Sequence, residues 1–306
     1  MAWLRASFER SSTMSLCDSR KACSSSSAVT LSSSALTPSL PNFIRLPFVS
    51  AMTDKEPAIK ALVFDVFGTV VDWRSSVIGE LKEAETKYGI QQGTTDWAKF
   101  AQLWRNGYIQ TTRRVASGAQ GPSNVDVMHR QILDSLLGSA EFAHVGAAWD
   151  EKARAEINLA WHRLNGWPDT VEGLTLLKEN HILATLSNGN MKLLVDMAKH
   201  AGLPWDIIFS TELFNTFKPN PLAYQSAVKH LDLPPSQCAM VAAHIYDLRA
   251  AAAQGMRTIY VRRPQEDSDE NGIALGIDVK SKKDGGEVDL AVESFVELAA
   301  ALERMN

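Results

Sequence analysis

Apolar and polar positions follow three different rhythms along the chain. Ala61-Leu62-Val63-Phe64 is an unbroken apolar run that ends at Asp65. A run so short and apolar throughout predicts a strand buried on both faces, as in a parallel sheet. Between Val71 and Gly166 no such run recurs. Apolar residues there repeat at spacings of three and four, as at Phe100, Leu103, Trp104 and Tyr108. That period predicts helices over about 75–88, 95–115, 124–137 and 147–164. Trp73, Trp97, Trp104, Trp149, Trp161 and Trp167 fall in this block or at its edges, and they predict a helix–helix core. Pro168 closes the block, because the residue before a proline is pushed out of helical conformation.

From Pro168 onward strands and helices alternate. The pattern predicts helices near 170–179 and 191–201, a helix opened by Pro221, and helices at 248–254 and 294–302. Strands are predicted at 181–186, 207–209, 239–242, 257–261 and 288–291. Strands alternating with helices of this length imply a parallel sheet with right-handed crossovers. Residues 264–286 are charged and poor in apolar positions, which predicts a mobile loop. The expected fold is α/β, with a Rossmann-like parallel core over 57–73 and 168–306. An α-helical cap over 74–167 is inserted after its first strand.

Residues 1–56 belong to neither rhythm. Serines cluster at 24–27 and 32–34, and ahead of Met52 five basic residues face only Glu9 and Asp18. This is the composition of an organellar transit peptide. A disordered tail, or translation starting at Met52, fits the same residues. The expected location is intracellular: cytoplasmic or, if the leader is real, mitochondrial or otherwise organellar.

Composition adds mainly exclusions. The chain has 306 residues, 45% hydrophobic and 22% charged, with a formal net charge of −4. Its length is ample for a substantial core, and its charge gives no footprint for nucleic acid or an anionic membrane. No apolar run approaches the roughly 20 residues that span a bilayer. Cys17 and Cys23 lie in the leader, leaving Cys238 beside Ala239-Met240-Val241. A disulfide framework or cysteine zinc site is thereby excluded from the globular part. His129, His144, His162, His181, His200 and His230 show no metal-ligand spacing.

The candidate chemistry lies where strands end. Asp65 and Thr69 follow the first predicted strand, Ser187 and Asn188 the second, and Asp247 follows the strand at 239–242; Lys218 stands at a helix entry. In a parallel sheet such positions share one edge, where α/β folds bind ligands. By residue type alone other readings stay open. Asp65 and Asp247 could begin turns or cap helices, Ser187 and Asn188 could cap a helix, Arg105 could be a surface residue and Tyr224 could be core.

Taken together, Asp65-Val66-Phe67-Gly68-Thr69, Ser187-Asn188-Gly189, Lys218-Pro219 with Tyr224, and Asp247 resemble the four motifs of the haloacid dehalogenase superfamily. The similarity is to its type II 2-haloacid dehalogenase branch, and Trp104-Arg105 in the cap resembles that branch's halide-binding arginine. It runs from about residue 58 to the end of the chain. The resemblance implies hydrolytic dehalogenation of small 2-haloalkanoic acids through an aspartyl ester on Asp65. It implies Lys218, Asp247 and Thr69 as catalytic partners, and Arg105, Ser187, Asn188, Phe67, Tyr224 and Tyr246 around the substrate and halide; His244, a departure from the pattern, joins them as a replacement catalytic or binding group or as pocket lining. No metal or organic cofactor is implied, and a homodimer is. Phosphatases of the superfamily carry an acid two residues after the nucleophile and an acidic pair for Mg²⁺ in the fourth motif. Phe67 and Ala243 occupy the first of these positions and one of the pair. Phenylalanine cannot protonate a leaving alcohol, and alanine cannot ligate a metal. Ala242 and His244 depart from the Ser and Asn usual in the branch, so another small α-substituted carboxylate, such as azetidine-2-carboxylate, is an alternative substrate. A non-catalytic protein that has kept the fold is another reading.

Overall fold

The structure, a computed structural model, describes residues 57–267 and 278–305. The serine-rich leader lies outside the described residues. Among them, six strands form one sheet in the order β3-β2-β1-β4-β5-β6, every pair parallel. β1 (Ala61–Phe64) is fully buried. Its alternation splits the core, with Leu62 and Phe64 in one layer and Ala61 and Val63 in the other.

The helical block follows β1. α1 (Trp73–Lys87) is capped by Asp72, whose side chain accepts from the Ser75 amide. α2 (Trp97–Ala116) is capped likewise by Asp96 and buries Trp97, Phe100, Ala101, Trp104, Arg105, Tyr108 and Thr112 on one face. α3 (Val125–Leu137) starts at Asn124, and α4 (Ala143–Ala148) and α5 (Glu151–Asn158) complete the block with a 3-10 turn at Leu159–His162. The single helix expected over 147–164 is thus broken. Asp150 takes an extended conformation and caps Ala153, which ends one helix and starts the next.

The chain then rejoins the sheet through α6 (Thr170–Lys178), β2 (Ile182–Ser187), α7 (Met191–Ala201) and β3 (Ile207–Ser210). Pro221 opens α8 (Pro221–Leu231) behind an Asn220 cap. β4 (Cys238–Ala242) leads into α9 (Ile245–Ala252), which begins three residues earlier than expected. β5 (Arg257–Val261), β6 (Leu290–Val292) and α10 (Phe295–Glu303) finish the fold. Part of the expected mobile loop is instead packed: Glu266 and Asp267 hydrogen-bond into the sheet edge, and Val279 is buried. Residues 268–277 of that loop lie outside the described residues. No helix among the described residues is long and apolar enough to cross a membrane.

This topology fixes where a ligand can sit. Strand order runs outward from β1 through β2 to β3, and from β4 through β5 to β6. The direction therefore reverses between β1 and β4, opening a crevice beyond their carboxyl ends. Asp65 leaves β1 and His244 leaves β4 at that point.

Candidate active site

Asp65 continues the β1–β4 ladder by donating its amide to the Val241 carbonyl at 3.0 Å. The chain then reverses through Gly68, at φ +85, a left-handed conformation that suits glycine. The turn brings Thr69 back beneath the carboxylate, where its hydroxyl donates to Asp65 Oδ2 at 2.8 Å. The Ala243 amide donates to the same hydroxyl oxygen at 2.9 Å and so directs its proton at Asp65.

Lys218 Nζ bridges two carboxylates, reaching Asp65 Oδ1 at 2.8 Å and Asp247 Oδ2 at 2.6 Å. Asp247, in the first turn of α9, accepts from the Tyr224 hydroxyl on its other oxygen. All four side chains are buried. Burial pushes the Asp65 carboxyl up, but the Lys218 charge and the His244 ring outweigh it and hold the group far below the usual carboxylate range. Burial pulls the Lys218 ammonium down, and Asp247 and Asp65 overcome that and raise it. Asp247 is raised by burial and by the charge of Asp65 against the pull of Lys218. The result is an ionised Asp65 beside a fixed ammonium.

His244 occupies the N-cap position of α9 and stands between two acids. Nδ1 lies 3.0 Å from Asp65 Oδ2 and Nε2 lies 2.8 Å from Glu266 Oε2. Burial pulls the ring's pKa down, but Tyr246, Asp65 and Glu266 together carry it well above the ordinary histidine value. With a carboxylate at each nitrogen the ring is an imidazolium that donates twice. Glu266 is held from its other oxygen by the Trp73 indole at 2.8 Å.

A cavity of about 510 Å³ opens above Asp65, walled there by Phe67, Arg105, Ser187, Lys218 and His244. Arg105, on the buried face of α2, lies over the rings of Phe67, Trp73 and Tyr108 at 5.5, 5.4 and 5.1 Å. Its Nη1 has no hydrogen-bond partner. Beneath this cage His129 stacks on Tyr108 and Trp161, and burial and Arg105 hold it well below the histidine range, as a neutral ring. A buried guanidinium with an open donor, framed by π faces, is a ready anion site, although the Glu266 carboxylate already feels its charge.

The remaining expected residues occupy distinct places. Ser187 lines the cavity, and its hydroxyl oxygen accepts the Gly189 amide at 3.2 Å, leaving its proton free for a ligand. Asn188 lines it too, but its amide oxygen accepts the Lys218 amide at 2.7 Å and its nitrogen donates to the Lys218 carbonyl at 3.4 Å. It therefore anchors the loop that carries Lys218. Tyr246 is 44% exposed and stands at the mouth. Thr69, Tyr224 and Asp247 are not among the cavity walls. They sit behind Asp65 and Lys218, so Tyr224 reaches the site only through Asp247, and Asp247 has both oxygens engaged in protein hydrogen bonds.

A model of haloacid dehalogenase-like hydrolases matches residues 59–255. The chain belongs to the haloacid dehalogenase-like hydrolase family. Among solved members it is similar to the L-2-haloacid dehalogenase PA0810, at 39% identity over 80% of this chain and 100% of that one, with a TM-score of 0.68. The defluorinating L-2-haloacid dehalogenase Rha0230 is 34% identical, over 80% of this chain and 95% of that one, with a TM-score of 0.69. The (S)-2-haloacid dehalogenase 1 of Pseudomonas sp. (strain CBS-3) is 29% identical over 215 residues, 68% of this chain and 88% of the relative. Within this haloacid dehalogenase-like hydrolase, the motifs do not mark Glu266, Trp73 and His129, which stand behind His244 and the Arg105 cage without lining the cavity. Glu266 sits in a charged stretch without period, and Trp73 and His129 read as ordinary helix core.

Proposed function

We propose that the chain hydrolyses (S)-2-halo carboxylates to 2-hydroxy acids through an ester on Asp65. The observation that carries this reading is Arg105, a buried cation with an unpartnered donor lining the same cavity as an ionised aspartate. Asp65 attacks the α-carbon from the face opposite the halogen, and the carbon–halogen electron pair leaves with the halide. Arg105 receives that halide, while Ser187 donates to the substrate carboxylate. Lys218 keeps Asp65 ionised and in place, and Phe67 leaves no acid for phosphoryl chemistry.

Esterification removes the negative charge of Asp65, one of the two carboxylates that hold the proton on His244. The ring's pKa then falls, and it sheds a proton to solvent, which with the halide accounts for the HX released. Neutral His244, braced by Glu266, takes a proton from water as the hydroxyl attacks the ester carbonyl. The tetrahedral intermediate collapses, and His244 returns that proton to the departing 2-alkoxide. The new Asp65 carboxyl passes its own proton to His244, restoring the starting pair. Asp247 holds Lys218 throughout.

The test is halide release by the full chain from each enantiomer of 2-chloropropionate. Release from the L-enantiomer alone, abolished in Asp65→Asn, is expected. A single turnover in ¹⁸O-water should place the label in Asp65 and not first in the product. Release that survives Asp65→Asn sinks the ester route. Pairing of two copies is part of the same proposal, and a solution mass of one chain sinks it.

A further inference from the structure

The cavity extends well past the reacting groups. Its 510 Å³ falls in the range of about 300–1,000 Å³ that encloses drug-sized ligands, whereas 2-chloropropionate is a far smaller molecule. The extra space follows α2. Arg105, Tyr108, Ile109, Thr112 and Ala116 line it at spacings of three and four, and that length of helix covers about 16 Å. Pro219, from the loop after Lys218, and Pro221, the first residue of α8, form part of the remaining wall. A second cavity, of about 310 Å³, shares Ala116 and Asn220 with the first, and in its lining Val115 and Phe217 stand beside Glu212, Asn215 and Thr216. Beyond Tyr108 the wall sets Ile109, Ala116, Pro219 and Pro221 beside Thr112, Ser117 and Asn220, and the cation at that end, Arg113, lies over the exposed Tyr246 ring at the mouth.

We infer that this channel is a tail subsite, and that the preferred substrates are 2-halo carboxylates bearing an extended apolar chain. The inference rests on the halo-acid reading of Asp65 and Arg105. With the carboxylate at Ser187 and the halogen at Arg105, the remaining carbon substituent has the apolar stripe of α2 to lie along. Its burial there is remote from the reacting carbon and acts as binding energy, so it raises kcat/KM chiefly through KM.

The experiment is a chain-length series on the full protein, with bromide release from the L-enantiomers of 2-bromopropionate, 2-bromohexanoate and 2-bromooctanoate. Each buried methylene should raise kcat/KM about four-fold, so hexanoate, with three more, should exceed propionate by roughly 60-fold. Ala116→Trp, at the far end of the channel, should cut the octanoate-to-propionate ratio at least ten-fold. Ile109→Trp, nearer the site, should also cut the hexanoate-to-propionate ratio. A flat or falling series, with propionate turned over, overturns the tail subsite and leaves the proposed chemistry standing. Preference for 2-bromoadipate over 2-bromohexanoate also overturns it, because the channel would then select an anion near Arg113. Bromide release from none of these acids overturns the halo-acid reading and the subsite with it.

Discussion

His244 has a carboxylate on each ring nitrogen, and only one of the two is consumed during the proposed reaction. This makes the residue separable from the nucleophile by kinetics. His244→Gln keeps a polar side chain at the position, and it leaves Lys218 on Asp65 Oδ1 and Thr69 on Oδ2. Esterification should continue while hydrolysis loses its base, a loss of about 10²- to 10⁴-fold. The expected record is a burst of halide equal to the enzyme concentration, then slow turnover, with the trapped ester visible as a mass increment on the peptide containing Asp65. Glu266→Gln should show the same burst with a smaller loss. A His244→Gln enzyme that slows without a burst would place the residue in the first step. Gly68 bears on this chemistry too: a Cβ there would lie 2.4 Å from the Glu266 carboxyl, so the missing side chain gives Glu266 its seat.

At the scale of elements, the site depends on how the ends of β1 and β5 are tied together. Arg263, just past β5, donates to the Thr69 carbonyl at 2.9 Å and grips Asp169 with two nitrogens at 2.6 and 3.0 Å. Asp169 in turn accepts the Phe295 amide at the start of α10. Arg263→Ala strands a partly buried carboxylate and should cost about 3 kcal/mol, read as a lower urea midpoint. Adding Asp169→Asn should recover part of that loss, since no charge is then left unpaired. This clamp was not legible in the sequence, although much around it was. β1, β2, β4 and β5 announce themselves because burial on both faces requires apolar runs, and Asp65, Ser187 and Asp247 stand out where those runs stop. Trp149-Asp150 hid the break between α4 and α5, because a capping aspartate does not disturb a helical period. Glu266 and Arg263 were hidden for a related reason. Their partners lie 22 to 194 positions away in the chain, and no local pattern encodes such pairings. Asp247 shows the limit from the other side: its position was legible, but its turn away from the cavity toward Lys218 and Tyr224 comes from packing alone.

Across the whole molecule, the helical block must stay seated on the sheet for Arg105 to overhang Asp65. One seat is His162, at the end of the block. Its Nε2 lies 2.9 Å from Asp126 of α3 and its Nδ1 lies 2.9 Å from Asp196 of α7, so a single ring joins the block to a helix beside the sheet. Lys192 also pairs with Asp196, and Asn190 donates to Asp126. Burial pulls the His162 pKa down, but hydrogen bonds and charge from the two aspartates overcome it and the net shift is upward. A folded-state pKa above the unfolded value means that folding takes up a proton. The contribution is therefore fully present below the unfolded pKa of about 6.5, and it is lost as pH rises through the higher folded value. The His162 share of the stability should thus decline from mildly acid to alkaline pH, measured as the urea-midpoint difference between the parent and His162→Gln at fixed ionic strength. That difference should be largest on the acid side. If the two proteins keep parallel pH profiles, the ring seats the block by packing and not by charge. Activity offers an independent readout, because loosening this seat frees the block that carries Arg105. The L-2-chloropropionate KM of the parent should rise across the pH range in which the proton leaves, and that of His162→Gln should start high and stay there.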